Sequence, residues 1–202
     1  MFRLMICLVS LLCPIIAHAD TSPPALPALY AVTGVAGDDT LHVRSAPDAA
    51  APIVGQLAHD ADTLEVVQLS TQGGWAYISQ GEQSGWVARR YLTPFAGETD
   101  GYGLPATLTC FGTEPFWTVS FTPEGLEVIT PSDTQTYPIT TLGFLPENAE
   151  ISSFGYRFEW LDGDTPVRAH ILPGLCSDGM SDARYGLHYV DTRMMNSGCC
   201  SL

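Results

Sequence analysis

An all-β fold in two units, a small barrel followed by a second antiparallel β-domain (meander or barrel) braced by disulfides, is predicted by three observations. Two Pro/Gly-rich stretches, TSPPALP at 21–27 and AGETDGYGLP at 96–105, divide the 202-residue chain, and the patterns between them are short, of period two and without helical period. Residues 154–160 of the second part place an aromatic ring at every other position. Four cysteines remain downstream of an export signal, an even number that suits disulfides in an oxidising compartment. The expected organisation is a signal peptide at 1–19, a linker at 20–28, a barrel at 29–95, a linker at 96–106 and the braced β-domain at 107–202.

The signal rests on Arg3, the apolar run Leu4–Ile16 and the small-x-small triplet Ala17-His18-Ala19, which place cleavage before Asp20. The run is too short for a membrane span, which needs about 20 apolar residues. A lipoprotein signal fits poorly, because Leu11-Leu12 precede Cys13 where a small residue is wanted. The expected location is the periplasm or cell envelope. The formal charge of −14 becomes −15 once Arg3 is removed, and the chain has no lysine. Nucleic acid and anionic lipid are therefore poor partners, and Schiff-base chemistry is excluded.

In the first unit, Leu64, Val66 and Gln68 alternate with Glu65, Val67 and Leu69, a strand partly buried on both faces. Trp75–Ile78 and Trp86-Val87 form a hairpin around the loop GEQSG at 81–85. A five-strand barrel this small cannot bury every large ring, so some of Trp75, Tyr77, Trp86 and Tyr91 should line a surface groove. The runs at Leu41–Pro47, Ile53–Leu57, Leu64–Leu69, Gly74–Ile78 and Gly85–Leu92 resemble the bacterial SH3 domain, with His42 and Ala46 as departures from its usual Asn and Gly. That resemblance implies a groove holding peptidoglycan stems or a short peptide, with Arg44 pairing with a carboxylate.

In the second unit, Phe154, Tyr156, Phe158 and Trp160 share one face, LDGDTP turns the chain, and Val167, Ala169 and Ile171 return opposite them. Strands are expected near 116–121, 126–130, 136–142, 154–161, 166–172 and 186–194, in a curved sheet or barrel that can hold a ligand. Cys110, Cys176, Cys199 and Cys200 allow three connectivities. An adjacent Cys199–Cys200 bridge is geometrically strained, so Cys110 and Cys176 should each take one member of that pair. The spacing lacks C-x-x-C, which argues against zinc. The motifs at Cys110–Trp117, Cys176–Asp182 and Gly198–Cys200 resemble a poorly characterised domain of exported bacterial proteins, a likeness that carries no activity with it.

The stretch CSDGMSDARYG at 176–186 poses the main functional question. A bridge at Cys176 could bring Glu114 close to Asp178 and Asp182, three carboxylates able to bind a cation or to divide into acid and base. Ordinary turn chemistry is the stronger reading: Asp178-Gly179 is a turn pair, Ser181 and Asp182 can cap backbone, and Arg184 can neutralise an aspartate. A cysteine peptidase built from Cys110 and His170 or His188 fails, because Cys110 leads into a strand and the other thiols argue for pairing it. No catalytic residue, metal or cofactor is assigned. The expected function is binding of peptidoglycan or a peptide through Arg44, Trp75, Tyr77, Trp86 and Tyr91, with an envelope enzyme or ligand-binding domain using Glu114, Asp178 and Asp182 as the alternative.

Overall fold

The computed structural model describes residues 25–80, 83–145, 155–192 and 197–202. The export signal read at 1–19, and Phe154 of the aromatic face, lie outside them. The described residues form two antiparallel sheets. None of their helices is long and apolar enough to cross a membrane.

The first sheet contains β1 (Ala28–Val32), β2 (Thr40–Arg44), β3 (Ile53–Ala58), β4 (Leu64–Leu69), β5 (Trp75–Ser79), β6 (Gly85–Ala88) and β7 (Leu92–Pro94), with one 3-10 turn at Arg89–Tyr91 before β7. Its order is β3-β2-β6-β5-β4-β1-β7. Seven strands replace the expected five because both ends of the unit join the sheet: β1 pairs with β4 on one side and β7 on the other. Period two sets the faces. Leu41 and Val43 of β2 enter the core with Tyr30, Leu64, Val66 and Ile78, while Thr40, His42 and Arg44 point outward. β6 lies tight against β2, for a Cβ on Gly85 would stand 2.7 Å from Val43 Cγ1 and 2.8 Å from the Arg44 carbonyl oxygen. Only glycine fits there, which explains that residue of the Gly-Trp-Val run.

The second sheet contains β8 (Thr109–Thr113), β9 (Phe116–Thr122), β10 (Gly125–Ile129), β11 (Thr134–Tyr137), β12 (Ile139–Leu145), β13 (Gly155–Asp162), β14 (Thr165–Cys176), β15 (Tyr185–Asp191) and β16 (Ser197–Ser201). The order β11-β10-β9-β8-β16-β15-β14-β13-β12 is a meander interrupted once, where β16 inserts between β8 and β15. The sheet curls until the Tyr137 ring of β11 comes within 6.2 Å of the Trp160 ring of β13, a nearly closed barrel. Its interior is filled by side chains. Trp160 and Phe158 stack at 5.8 Å, Phe121 meets Phe158 edge-on at 5.2 Å, and Trp117 lies 4.8 Å from Tyr189. Burying a ring of this size contributes roughly 1.5–3 kcal/mol, so the aromatic face that could have lined a ligand cavity is used as core instead.

Two of the cysteine-bearing motifs are explained by this packing. A Cβ on Gly112 would overlap the Trp117 indole, and one on Gly198 would overlap both the Phe111 carbonyl and the same indole. The two glycines let Trp117 lie across β8 and β16. Beside them Cys110 and Cys200 sit directly opposite in register, with Cα atoms 3.9 Å apart, and are bonded; the second bridge joins Cys176 to Cys199. The stretch 96–106, assigned to a linker by composition, contributes Leu104 to the second core, and Asp100 Oδ1 accepts the N–H groups of Tyr102 and Leu104 at 2.8 and 2.9 Å.

The two units touch along β4, β5 and β15. The outward face of β4 is covered there, so that Glu65 is only 4 % exposed, and Gly186 has no side chain to keep Pro27 away. Arg184 reaches across to donate to Gln68 Oε1 at 3.3 Å.

Candidate functional site

A pocket of about 460 Å³ opens on the first unit between the loop at 34–40, strand β2, the start of β5 and the turn Arg89–Tyr91. Alternation on β2 places it. With Leu41 and Val43 committed to the core, His42 and Arg44 face the opposite way, into the pocket. Arg44 Nη1 donates to the Ala51 carbonyl at 2.7 Å, which fixes the guanidinium while leaving most of its N–H groups without a partner among the described residues. Trp75 and Tyr91, both half-buried, supply aromatic walls. The turn also presents Arg90, whose guanidinium lies 4.5 Å from the Tyr91 ring centroid and donates to the Tyr91 hydroxyl at 3.3 Å. Asp39 is the one carboxylate lining the pocket, and its Oδ1 accepts the Thr40 N–H at 2.7 Å.

Of the five residues read as ligand contacts, the structure brings together Arg44, Trp75 and Tyr91. Tyr77 and Trp86 lie elsewhere. They pack edge-to-face at 5.5 Å, and Tyr77 is only 7 % exposed because the second unit covers it. Its hydroxyl donates to the Asp182 carbonyl at 3.3 Å, and the Arg184 guanidinium sits 5.1 Å from its ring. Burial raises the Tyr77 pKa, with nearby Arg184 opposing the shift. Sequence reasoning missed Arg90 and His42 as pocket residues. The available signal was the alternation on Thr40–Arg44 and the position of Arg90 one residue before Tyr91.

The second candidate site joins the turn after β8 to the loop at 176–184, where the Thr113 hydroxyl donates to the Asp178 carbonyl at 3.2 Å. Glu114 is exposed at the turn between β8 and β9, where the Glu114–Pro115 peptide is cis. Asp178 Oδ1 accepts the N–H groups of Met180 and Ser181, each at 2.9 Å, while its Oδ2 accepts the Ser181 hydroxyl at 2.9 Å and the Tyr185 hydroxyl at 3.5 Å. These donors, the Met180 and Ser181 amides foremost, hold its pKa below the usual carboxylate value. Asp182 contributes its backbone carbonyl to Tyr77, and Arg184 turns toward Gln68 and Tyr77 rather than to an aspartate. Among the described residues no group of three His, Cys, Asp or Glu side chains could hold a metal ion. CSDGMSDARYG is thus a braced turn whose later residues dock the first unit. Beside it runs an open apolar groove of about 450 Å³ lined by Phe116, Ile129 and Met180, among others. The bridge between Cys110 and Cys200 also removes the thiol that a peptidase would need.

Strands β2 to β6, the Gly85 contact and most of the pocket lining fall within one stretch of the chain. Residues 39–93 match the bacterial SH3 domain. The match runs from the residue before β2 into β7 and takes in Arg44, Trp75, Arg90 and Tyr91. No curated protein and no solved structure matches the chain. The SH3 domain is consistent with a module that binds peptidoglycan or a peptide. Together with the two disulfides it is also consistent with a protein that works outside the cytoplasm.

Proposed function

We propose that this is an exported protein of the periplasm or cell envelope whose SH3 domain binds peptidoglycan or a short peptide in the pocket bounded by Arg44, Trp75, Arg90 and Tyr91. The observation that carries this reading is the pocket itself. It joins two partly exposed rings to two guanidinium groups in a domain matched to the bacterial SH3 family, whereas the aromatic face of the second unit is buried as core. Rings of this kind stack on sugar or peptide planes, and Arg forks recognise carboxylates. The second unit serves in this account as a disulfide-braced platform that covers the Tyr77 face of the SH3 domain and leaves the pocket open.

The test is retention of the chain lacking residues 1–19 on purified peptidoglycan, with a melting curve beside each binding curve. Trp75→Ala should weaken retention roughly thirtyfold, about 2 kcal/mol for an anchoring aromatic at a binding site. The melt should change little, because Trp75 is only half-buried at the start of its strand. Failure of the unaltered protein to bind peptidoglycan or its soluble fragments would refute the reading.

A further inference from the structure

The proposed wall or peptide ligand can be narrowed by the charge of the pocket. The chain carries 22 acidic residues against 8 arginines, a formal net charge of −14. Two of those arginines, Arg44 and Arg90, line this one cavity, with His42 beside them. Neither guanidinium is paired with a carboxylate among the described residues; their protein acceptors are the neutral Ala51 carbonyl and Tyr91 hydroxyl. The one acidic lining residue, Asp39, has an oxygen engaged by its neighbour's backbone. An arginine-lined concavity on an otherwise acidic chain concentrates anions there.

The remaining walls constrain what accompanies the anion. Gly34, Ala36, Ala49 and Ala88 leave low relief beside the rings. Gly34 has φ +71° and stands 3.8 Å from Tyr91 Cδ1 at the position of its missing Cβ, so the loop can bend close to the ring. A flat, extended chain of small residues fits this surface better than a bulky side chain.

We infer that the SH3 pocket takes a free carboxylate carried by a peptide of small residues, held between the Arg44 and Arg90 guanidiniums with its backbone against Trp75 and Tyr91. This rests on the binding reading above and specifies the chemical group recognised. The guanidinium fork accepts a carboxylate in a bidentate manner, which an amide of equal size cannot reproduce.

The experiment compares retention of the chain lacking residues 1–19 on purified, acid-stripped peptidoglycan before and after its carboxyls are converted to amides with carbodiimide and ammonia. Acid stripping removes phosphate-bearing polymers, so the anion left is the carboxylate. Native wall should retain the protein at least tenfold better than amidated wall. Arg44→Gln and Arg90→Gln should each shrink the ratio of retention on native wall to retention on amidated wall; Arg90 is the cleaner position, being exposed. Equal retention on native and amidated wall would overturn the carboxylate assignment and leave the binding reading standing. A preference for native wall that survives in both arginine variants would overturn its assignment to this pocket. Retention on neither wall would overturn the binding reading and this inference with it.

Discussion

Reduction of the two disulfides is expected to lower the melting temperature of the second unit by roughly 20 °C or more. The Cys110–Cys200 bridge spans 90 residues of sequence, and the chain-entropy model assigns a loop of that length roughly 4–5 kcal/mol. In a domain of about 100 residues, each kcal/mol moves the midpoint by roughly 4–8 °C. Position adds to the effect. β16 is the only contact that joins β8 to β15 in the sheet order, and both bridges are anchored on it through Cys199 and Cys200. Loss of β16 would divide the barrel into its β8–β11 and β12–β15 parts. Calorimetry with and without a strong reductant checks this, and an unchanged melt would show that the bridges are dispensable. The melting transition of the SH3 domain, which contains no cysteine, should respond only through its contact with the second unit.

The second large effect concerns Glu65. Burial between β4 and the second unit pushes its carboxyl up to about 8, opposed by the backbone N–H groups of Leu202 and Gly186. Its Oε1 has no hydrogen-bond partner among the described residues. The charged groups nearby give no relief: Arg184 is turned to Gln68, and the adjacent ionisable side chain is the Tyr185 phenol. A carboxyl with a raised folded pKa holds a proton that the exposed group has already lost. The penalty is absent below the exposed value near 4.5 and is complete above about 8. Stability of the docked pair should therefore fall as pH rises through that window, by up to roughly 4–5 kcal/mol at 1.36 kcal/mol per pKa unit. Glu65→Gln should remove the slope and melt higher than the unaltered protein at pH 8.5. Parallel pH profiles for the two proteins would contradict the account.

Legibility in the sequence followed the physics of each element. Tyr156, Phe158 and Trp160 fall on one buried face as their spacing requires, and Val167, Ala169 and Ile171 pair opposite them. The strands at Thr109–Thr113 and Ser197–Ser201 were not anticipated, because each is short, contains glycine and cysteine, and is stabilised by a bridge to a distant residue rather than by hydrophobic alternation. The segment expected near 136–142 is two strands, Thr134–Tyr137 and Ile139–Leu145, separated at Pro138, which has no N–H to continue a ladder. The β4 alternation showed that Glu65 and Val67 are partly buried without showing what covers them. That cover is the second unit, whose contact separates residues by more than a hundred positions. For the same reason Tyr77 could not be told from the pocket rings. Trp75 and Tyr77 share the i, i+2 spacing that places both on one side of a strand, yet one meets solvent and the other meets Asp182 and Arg184.

The central claim is that ligand is held by the SH3 pocket and not by the second unit. It is tested most directly by titrating the isotopically labelled chain lacking residues 1–19 with soluble peptidoglycan fragments and following its amide, indole and guanidinium NMR signals. The account predicts saturable shifts at His42, Arg44, Trp75, Arg90 and Tyr91, with the Tyr77 and Asp182 signals unmoved. Shifts confined to the Phe116, Ile129 and Met180 groove, or none at millimolar fragment, would contradict it.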